Sequence, residues 1–271
     1  MIKKLLLALL VFVFLPTNAQ WTSFGATNRY FYGVYNGTLC TFGDTFNSGR
    51  LVPVPIDIIT NPYGITDPLK FSRGNNFNVV LRLDKSLWGW GKTDYGQLGT
   101  YRANAIINPT KLNYYTWSDV AAGDSHVIAI REDGTLWGWG RNSSGEVGVG
   151  NTTAQLSPVQ IGTDNDWAKV YASSSSSFGM KKNGTLWAWG YNTVGTLGDG
   201  TLVNKTTPVQ IGTDKDWLSS KFVTTSAGSV FAIKGYSLYA WGRNWRTLLD
   251  ATTANKTTPT VVGTNWKSDR K

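Results

Sequence analysis

The sequence predicts an all-β protein built from repeated four-stranded sheets. The phrase Gly-Thr-Leu-Trp-Gly-Trp-Gly at residues 134–140 has four further copies, with changes, along the chain. The leucines of the five copies stand at 39, 87, 136, 186 and 238, so successive copies are 48, 49, 50 and 52 residues apart. Such a period is typical of solenoids and propellers, and no stretch has the apolar spacing of an amphipathic helix. We therefore expect a β-propeller of about five four-stranded blades plus a remnant of a sixth, incomplete or open as a ring.

The third repeat shows the strands of one blade most clearly. Residues 119–122 are small, and residues 126–130 are apolar and β-branched, as strands are. An Asp-Gly turn then leads into a third strand at 136–140. Residues 158–161 begin with proline, which lacks an amide donor and suits an edge strand. The predicted units of this single domain (20–271) are 21–68, 69–116, 117–166, 167–216 and 217–265, with the remnant at 266–271.

The tryptophans follow the repeat. Alternate residues of a strand face opposite sides, so Trp137 and Trp139 share one face and Leu136 and Gly138 the other. We expect the indoles of one blade to pack over glycines of the next. Twelve of the 13 tryptophans fall on repeat positions, which indicates a role in the core. The exception is Trp245, the best single candidate for an exposed contact.

The first 19 residues have the layout of a secretory signal peptide. Two lysines precede an apolar run from residue 5 to 15, then Pro16 and a small residue, Ala19. A buried N-terminal helix is the alternative interpretation. Cleavage before Gln20 would give an exported protein, secreted, periplasmic or at the cell surface, with no transmembrane segment. The single cysteine, Cys40, excludes an intramolecular disulfide and stands at a tryptophan position of the repeat, which favours burial over reactivity.

Charge and chemistry-bearing residues exclude several functions. The net charge is +9, but the basic residues are dispersed, so no nucleic-acid partner is predicted; the charge favours acidic surfaces. His126 is the only histidine. Asp124 shares its face and could orient it, yet no nucleophile is evident, so a structural role is predicted. The triplets 164–166 and 214–216 carry paired aspartates, but they lack the calcium-loop pattern and are interpreted as turn formers. The sequence predicts no catalytic residue, metal site or cofactor.

Several of these motifs resemble those of the regulator of chromosome condensation repeat family. The matching stretches are Ala121–His126, Asp133-Gly134, Trp139–Asn142, Tyr95–Gly99 and Gly195–Gly198. The resemblance implies blades of this propeller type, although the family's closed members have seven. The founding members act on a nuclear GTPase and chromatin, which an exported chain would not do. Secreted bacterial members, including propellers that inhibit β-lactamase, resemble this chain better.

The loops that follow each Trp-Gly differ most between units, and variable loops on a rigid scaffold commonly carry function. The sequence therefore predicts a non-catalytic secreted or cell-surface protein whose rim loops contact a protein or a glycan. Two alternatives stay open: a polysaccharide-acting enzyme on a propeller scaffold, and a truncated section of a larger surface protein. The candidate binding residues are Asp94, Tyr95, Arg141, Asn142, Tyr191, Asn192, Arg243, Asn244 and Trp245.

Overall fold

The structure is a computed structural model. It describes residues 21–26, 30–35, 38–43, 50–55, 67–100, 105–224, 228–244, 248 and 252–265; of the first four segments and of Val223 only the backbone is described. The predicted signal peptide, Trp245 and Trp266 lie outside the described residues, as do the side chains of Trp21 and Cys40.

Twenty strands form five antiparallel sheets, and the strands of each sheet lie side by side in chain order. The first sheet contains β1 (Trp21–Ala26), β2 (Tyr30–Tyr35), β3 (Thr38–Gly43) and β4 (Arg50–Pro55). The second contains β5 (Pro68–Arg73), β6 (Phe77–Arg82), β7 (Leu87–Gly91) and β8 (Ile106–Lys111). The third contains β9 (Trp117–Ala122), β10 (His126–Arg131), β11 (Leu136–Gly140) and β12 (Gln155–Gln160). The fourth contains β13 (Trp167–Ala172), β14 (Ser176–Lys181), β15 (Leu186–Gly190) and β16 (Lys205–Gln210). The fifth contains β17 (Lys221–Thr224), β18 (Ser229–Lys234), β19 (Ser237–Gly242) and β20 (Lys256–Gly263).

The predicted all-β class and the four strands per repeat are confirmed. No α-helix occurs in the part of the chain that the structure describes, and a single 3₁₀ turn spans Trp217–Ser219. That turn is a difference from the prediction, because the first strand of the fifth sheet begins at Lys221 and not at Trp217. The other described sheets begin within one residue of the predicted unit starts.

Apolar clusters join the second, third, fourth and fifth sheets in succession. Phe77, Leu81 and Leu87 of the second sheet pack with Trp117 and Trp139 of the third. Equivalent clusters join the third sheet to the fourth and the fourth to the fifth. Among the described strands, none of the fifth sheet makes extensive contact with the first sheet, and the structure does not close the ring.

Three aromatic residues form the centre of each joint. Trp167 opens the fourth sheet, and its ring centroid lies 6.0 Å from that of Trp187 and 6.2 Å from that of Trp189. Trp189 is fully buried, whereas Trp187 is only half-buried. The third and fifth sheets repeat this arrangement. The predicted structural role of the repeated tryptophans is confirmed where their side chains are described, but the first position of the phrase is only partly buried and packs against the edge of the apolar cluster.

Candidate functional site

The loops after the Trp-Gly phrase, named here the rim loops, connect the third and fourth strands of a sheet. They comprise residues 92–100, 141–150 and 191–200, together with Arg243, Asn244 and Leu248 in the fifth sheet. In the first three of these loops, one backbone carbonyl oxygen accepts a hydrogen bond from the indole at the second aromatic position of the next sheet's phrase. The hydrogen-bonded pairs, each 3.0 Å apart, are Gln97 O with Trp139 Nε1, Glu146 O with Trp189 Nε1, and Thr196 O with Trp241 Nε1.

Glycines allow this close approach. A Cβ atom on Gly148 would lie 2.7 Å from Trp189 Nε1, and the φ angle of this residue is +90°, so both space and backbone conformation require glycine. Gly150 N also donates to Thr206 O of the next sheet at 2.8 Å. The indoles thus pack over glycines of the preceding sheet's loop, which corrects the predicted direction of packing.

Three predicted binding residues have no exposed surface. Asn142, Asn192 and Asn244 are all 0% exposed. Asn142 Oδ1 accepts from Val147 N at 2.9 Å, while its Nδ2 donates to the carbonyl oxygens of Asn151 and Thr153. Asn192 and Asn244 make equivalent bonds within their own loops. The prediction that these asparagines contact a ligand is wrong, because their amide groups hold the loop backbone together.

The other predicted residues lie at the surface of the rim. Tyr95 is 45% exposed, and the side chain of Asp94 forms an exposed ion pair with Lys92 at 3.5 Å. The Arg141 side chain is 42% exposed and donates from Nε to Ser143 Oγ at 2.9 Å. Tyr191 and Arg243 are half-buried, and Trp245 lies outside the described residues. The rim surface therefore has a different composition over each sheet.

The only histidine belongs to a buried hydrogen-bond chain and not to a catalytic pair. Ser177 Oγ donates its proton to Glu146 O at 2.7 Å, so His126 Nε2, 2.9 Å from Ser177 Oγ, must be the donor in that contact. Burial, with a smaller effect of the Arg141 charge, lowers the pKa of His126 to about 3. A histidine that donates to the serine cannot deprotonate it. Asp124 does not orient His126 as considered above; its carboxylate accepts from Ser174 Oγ in the next sheet.

The paired aspartates bind lysines. Lys181 Nζ lies 2.6 Å from Asp164 Oδ2 and 3.1 Å from Asp166 Oδ1. Burial disfavours the charge of Lys181, but hydrogen bonds and attraction from the two aspartates outweigh that effect and raise its pKa. The aspartates at 214 and 216 hold Lys234 in the same way. Their role is therefore more than turn formation, and within the described residues no group of His, Cys, Asp and Glu side chains could hold a metal ion.

Sequence reasoning missed a repeated cation next to the half-buried aromatic position. Lys181 Nζ lies 4.9 Å from the centroid of the Trp187 ring, which is within the range of a cation–π interaction. The signal was available, because a basic residue ends the second strand of each described sheet from the second to the fifth. The equivalent pairs are Arg82 with Trp88, Arg131 with Trp137, and Lys234 with Tyr239.

Repeated blades, joined from the second to the fifth by hydrogen bonds between a loop carbonyl and a buried indole, define a repeat-built β-propeller. The model of the regulator of chromosome condensation (RCC1) repeat matches residues 84–130, 133–180 and 183–233, and a second model of the same description matches residues 117–146. The chain belongs to this family. None of the curated protein sequences compared matches it.

Solved structures share the fold. Human WBSCR16 has a TM-score of 0.70 at 17% identity, over 92% of this chain and 69% of its own. Yeast RCC1 (Prp20) bound to Kap60 has a TM-score of 0.72 at 16% identity, over 91% of this chain and 62% of its own. A structure of Prp20p from Saccharomyces cerevisiae gives 0.71 at 17% identity, over 90% and 64%. The chain thus spans about two thirds of the length of these proteins.

Proposed function

We propose that this protein is a non-catalytic, exported binding protein that contacts a protein or a glycan through its rim loops. The observation that carries the proposal is that buried and exposed residues of these loops have different roles. The joint to the next sheet and a buried polar residue, Thr93 in the first loop and asparagine in the later ones, fix the backbone. Asp94, Tyr95 and Arg141 present different side chains to solvent. A fixed backbone with varied exposed side chains is the usual arrangement of a binding surface.

The relatives support a protein as partner. One structure shows yeast RCC1 (Prp20) bound to Kap60, and Prp20p from Saccharomyces cerevisiae has binding properties to Gsp1p and histones. These are partners of those proteins, and the shared fold at this identity does not transfer them to this chain. It does support the use of propeller surfaces for protein contacts in this family.

The buried chemistry favours binding over catalysis. The His126–Ser177 pair is closed to solvent, with exposures of 1% and 0%. His126 donates its proton to Ser177, whereas a catalytic base would accept the proton of the serine. The exposed rim residues are an ion pair, a phenol and a guanidinium group, without the paired carboxylates that glycoside hydrolysis uses. No helix of the described residues is long and apolar enough to cross a membrane.

Capture of partners from extracellular and envelope fractions tests the rim-loop proposal. The purified protein should retain a saturable partner, and the double variant Asp94→Ala/Tyr95→Ala should weaken that binding about tenfold or more, as exposed contact residues do at interfaces. Arg141→Ala tests the neighbouring loop, with its melting temperature measured alongside, because Arg141 also lies 3.8 Å from the buried Glu146. Lys182→Ala, an exposed change at the opposite rim, serves as the matched control. Binding that is unchanged in all rim variants, or turnover of a polysaccharide by the wild-type protein, would contradict the proposal.

Export has its own test. Expression of the full sequence should yield a protein whose N-terminus, read by mass spectrometry, is Gln20, and deletion of residues 2–19 should leave the protein inside the cell. Retention of Met1 in the mature protein would exclude the predicted signal peptide.

A further inference from the structure

The connection between the second and third sheets differs from the two that follow it. Residues 162–166 and 212–216 each carry two aspartates that hold a lysine of the adjoining sheet. Residues 112–116 read Leu-Asn-Tyr-Tyr-Thr and contain no acid. Arg131, the cation equivalent to Lys181, therefore keeps only one ion pair in the described structure, to Asp133 at 3.9 Å.

Two tyrosines occupy the place of the aspartates. The Arg131 guanidinium carbon lies 4.5 Å from the centroid of the Tyr115 ring and 5.3 Å from that of Trp137. Tyr115 is 42% exposed and packs against the rings of Trp117 and Trp137. Its ring therefore contacts two indoles and a cation and keeps part of its surface in solvent.

Tyr114 is far more exposed. It has 95% of its surface in solvent, the highest value among the large hydrophobic residues described. Lys111 Nζ lies 5.7 Å from its ring centroid. The charge of Lys111 acts on Asp84, but no ion pair of Lys111 lies within the described residues. The tyrosine patch, defined as Lys111, Tyr114, Tyr115 and Arg131, thus combines two accessible phenol rings with two cations.

We propose that the tyrosine patch binds an acidic polysaccharide, such as a polyuronate. The C–H face of a pyranose ring can pack on an exposed phenol and remove apolar area from water, while a uronate carboxylate can accept charge-assisted hydrogen bonds from Lys111 and Arg131. This surface lies at the rim opposite the rim loops, because the connections between sheets and the loops after the phrase leave the strands at opposite ends. The proposal is therefore separate from the rim-loop function, and either can fail alone.

The surroundings favour a glycan over a protein. A stable protein interface buries roughly 800 Å² on each partner around apolar anchors. Two ion pairs lie beside the tyrosine patch, Arg82–Asp84, whose aspartate is exposed, and Lys85–Glu132, exposed on both sides; each is 3.5 Å long. These charges would stay solvated beside a narrow sugar chain but would have to be desolvated under a protein of standard footprint.

Isothermal titration with a size-defined oligogalacturonate tests the proposal. We expect saturable binding that weakens with added salt, no binding of neutral dextran, and a loss of about tenfold for Tyr114→Ala. Lys111→Gln should weaken binding severalfold and lower its salt dependence. Tyr236→Ala and Lys215→Gln change an exposed tyrosine and lysine elsewhere on the same rim and should leave the affinity unchanged.

Three results would overturn the proposal. The first is that oligogalacturonate shows no saturable binding. The second is that the patch variants and the control variants lose affinity equally. The third is binding of poly-glutamate as tight as that of oligogalacturonate. If Tyr114→Ala weakens the poly-glutamate binding, the ligand is an acidic protein; if the variant does not weaken it, the binding is unspecific charge attraction. Because Tyr114 is almost fully exposed, its variant should keep the wild-type melting temperature, which confirms that folding is intact.

Discussion

The two aromatic positions of each phrase stand two residues apart on one strand, yet they contribute to the molecule in different ways. Trp189 is fully buried and donates to the loop of the preceding sheet. Trp187 is half-buried; it donates to Thr185 Oγ1 two residues away at 2.9 Å and carries Lys181 on its face. The second position therefore joins neighbouring sheets, whereas the first position binds a cation at the edge of its own sheet.

The largest expected effect comes from removing the joining indole. Trp189→Ala should lower the free energy of unfolding by about 3–5 kcal/mol, because it creates a large cavity between two sheets. Trp187→Ala, the matched change two residues away, should cost about 1–2 kcal/mol, since that ring is partly solvated already. Urea denaturation of both variants measures the difference, and equal losses would contradict the division between the two positions.

Acid should weaken the buried joint. The unfolded chain binds a proton at His126 with a pKa near 6.5, whereas the folded chain does so only at about 3, so stability is complete above pH 6.5 and falls as the pH drops through this window. The slope is up to about 1.4 kcal/mol per pH unit. Between pH 6.5 and 5, wild type should lose about 1.6 kcal/mol more than His126→Gln, which has no titrating group there, because at pH 6.5 the unfolded histidine is already half protonated. Parallel stability curves for the two proteins would show that His126 is not the group responsible.

The buried asparagine of a rim loop should matter more than its exposed neighbour. Asn192→Ala leaves the Leu197 amide and several loop carbonyls without their partner, so we expect a loss of about 1–3 kcal/mol. Thr193→Ala, the exposed control, should stay within about 0.5 kcal/mol of wild type. Chemical denaturation compares the two variants, and a smaller loss for Asn192→Ala than for Thr193→Ala would refute the structural role.

The smallest effect is expected at the cation. Lys181→Met removes two ion pairs and the contact with Trp187, but exposed aspartates and solvent reduce the value of these interactions to about 1 kcal/mol. Lys182→Met, its exposed neighbour, should be neutral. The loss in Lys181→Met should shrink in high salt, as measured by melts in low and high sodium chloride, and a salt-independent loss would instead indicate packing.

The period of the sequence was enough to place the sheets. Leu136, Leu186 and Leu238 are nearly evenly spaced, and each marks the same local strand-and-turn arrangement. The same reasoning explains an error. Asparagine recurs two residues after the last phrase glycine at 142, 192 and 244, and recurrence at a fixed repeat position indicated structure there as clearly as it did for tryptophan. The residue type alone suggested an exposed loop, and burial of its amide depends on carbonyl groups up to eleven residues away, which no local pattern reveals.

The candidate surfaces were harder to predict. Tyr114 and Tyr115 occur in one connection only, so no repeat points to them, and their exposure depends on how the second and third sheets meet. The direction of the His126–Ser177 hydrogen bond likewise depends on a carbonyl in another sheet. Such features follow from tertiary packing and not from spacing.

The loop-to-indole hydrogen bond has a consequence for how such a molecule can change in size. In every described sheet from the third to the fifth, one surface contacts the preceding sheet and the other presents a loop carbonyl or an apolar face. The interfaces are therefore alike and have a single direction. An in-frame duplication of one complete unit, residues 117–166, would supply an added sheet with matching surfaces on both sides. Growth by whole repeats is therefore permitted by the interfaces themselves, whereas an insertion of half a unit would leave an indole without its carbonyl.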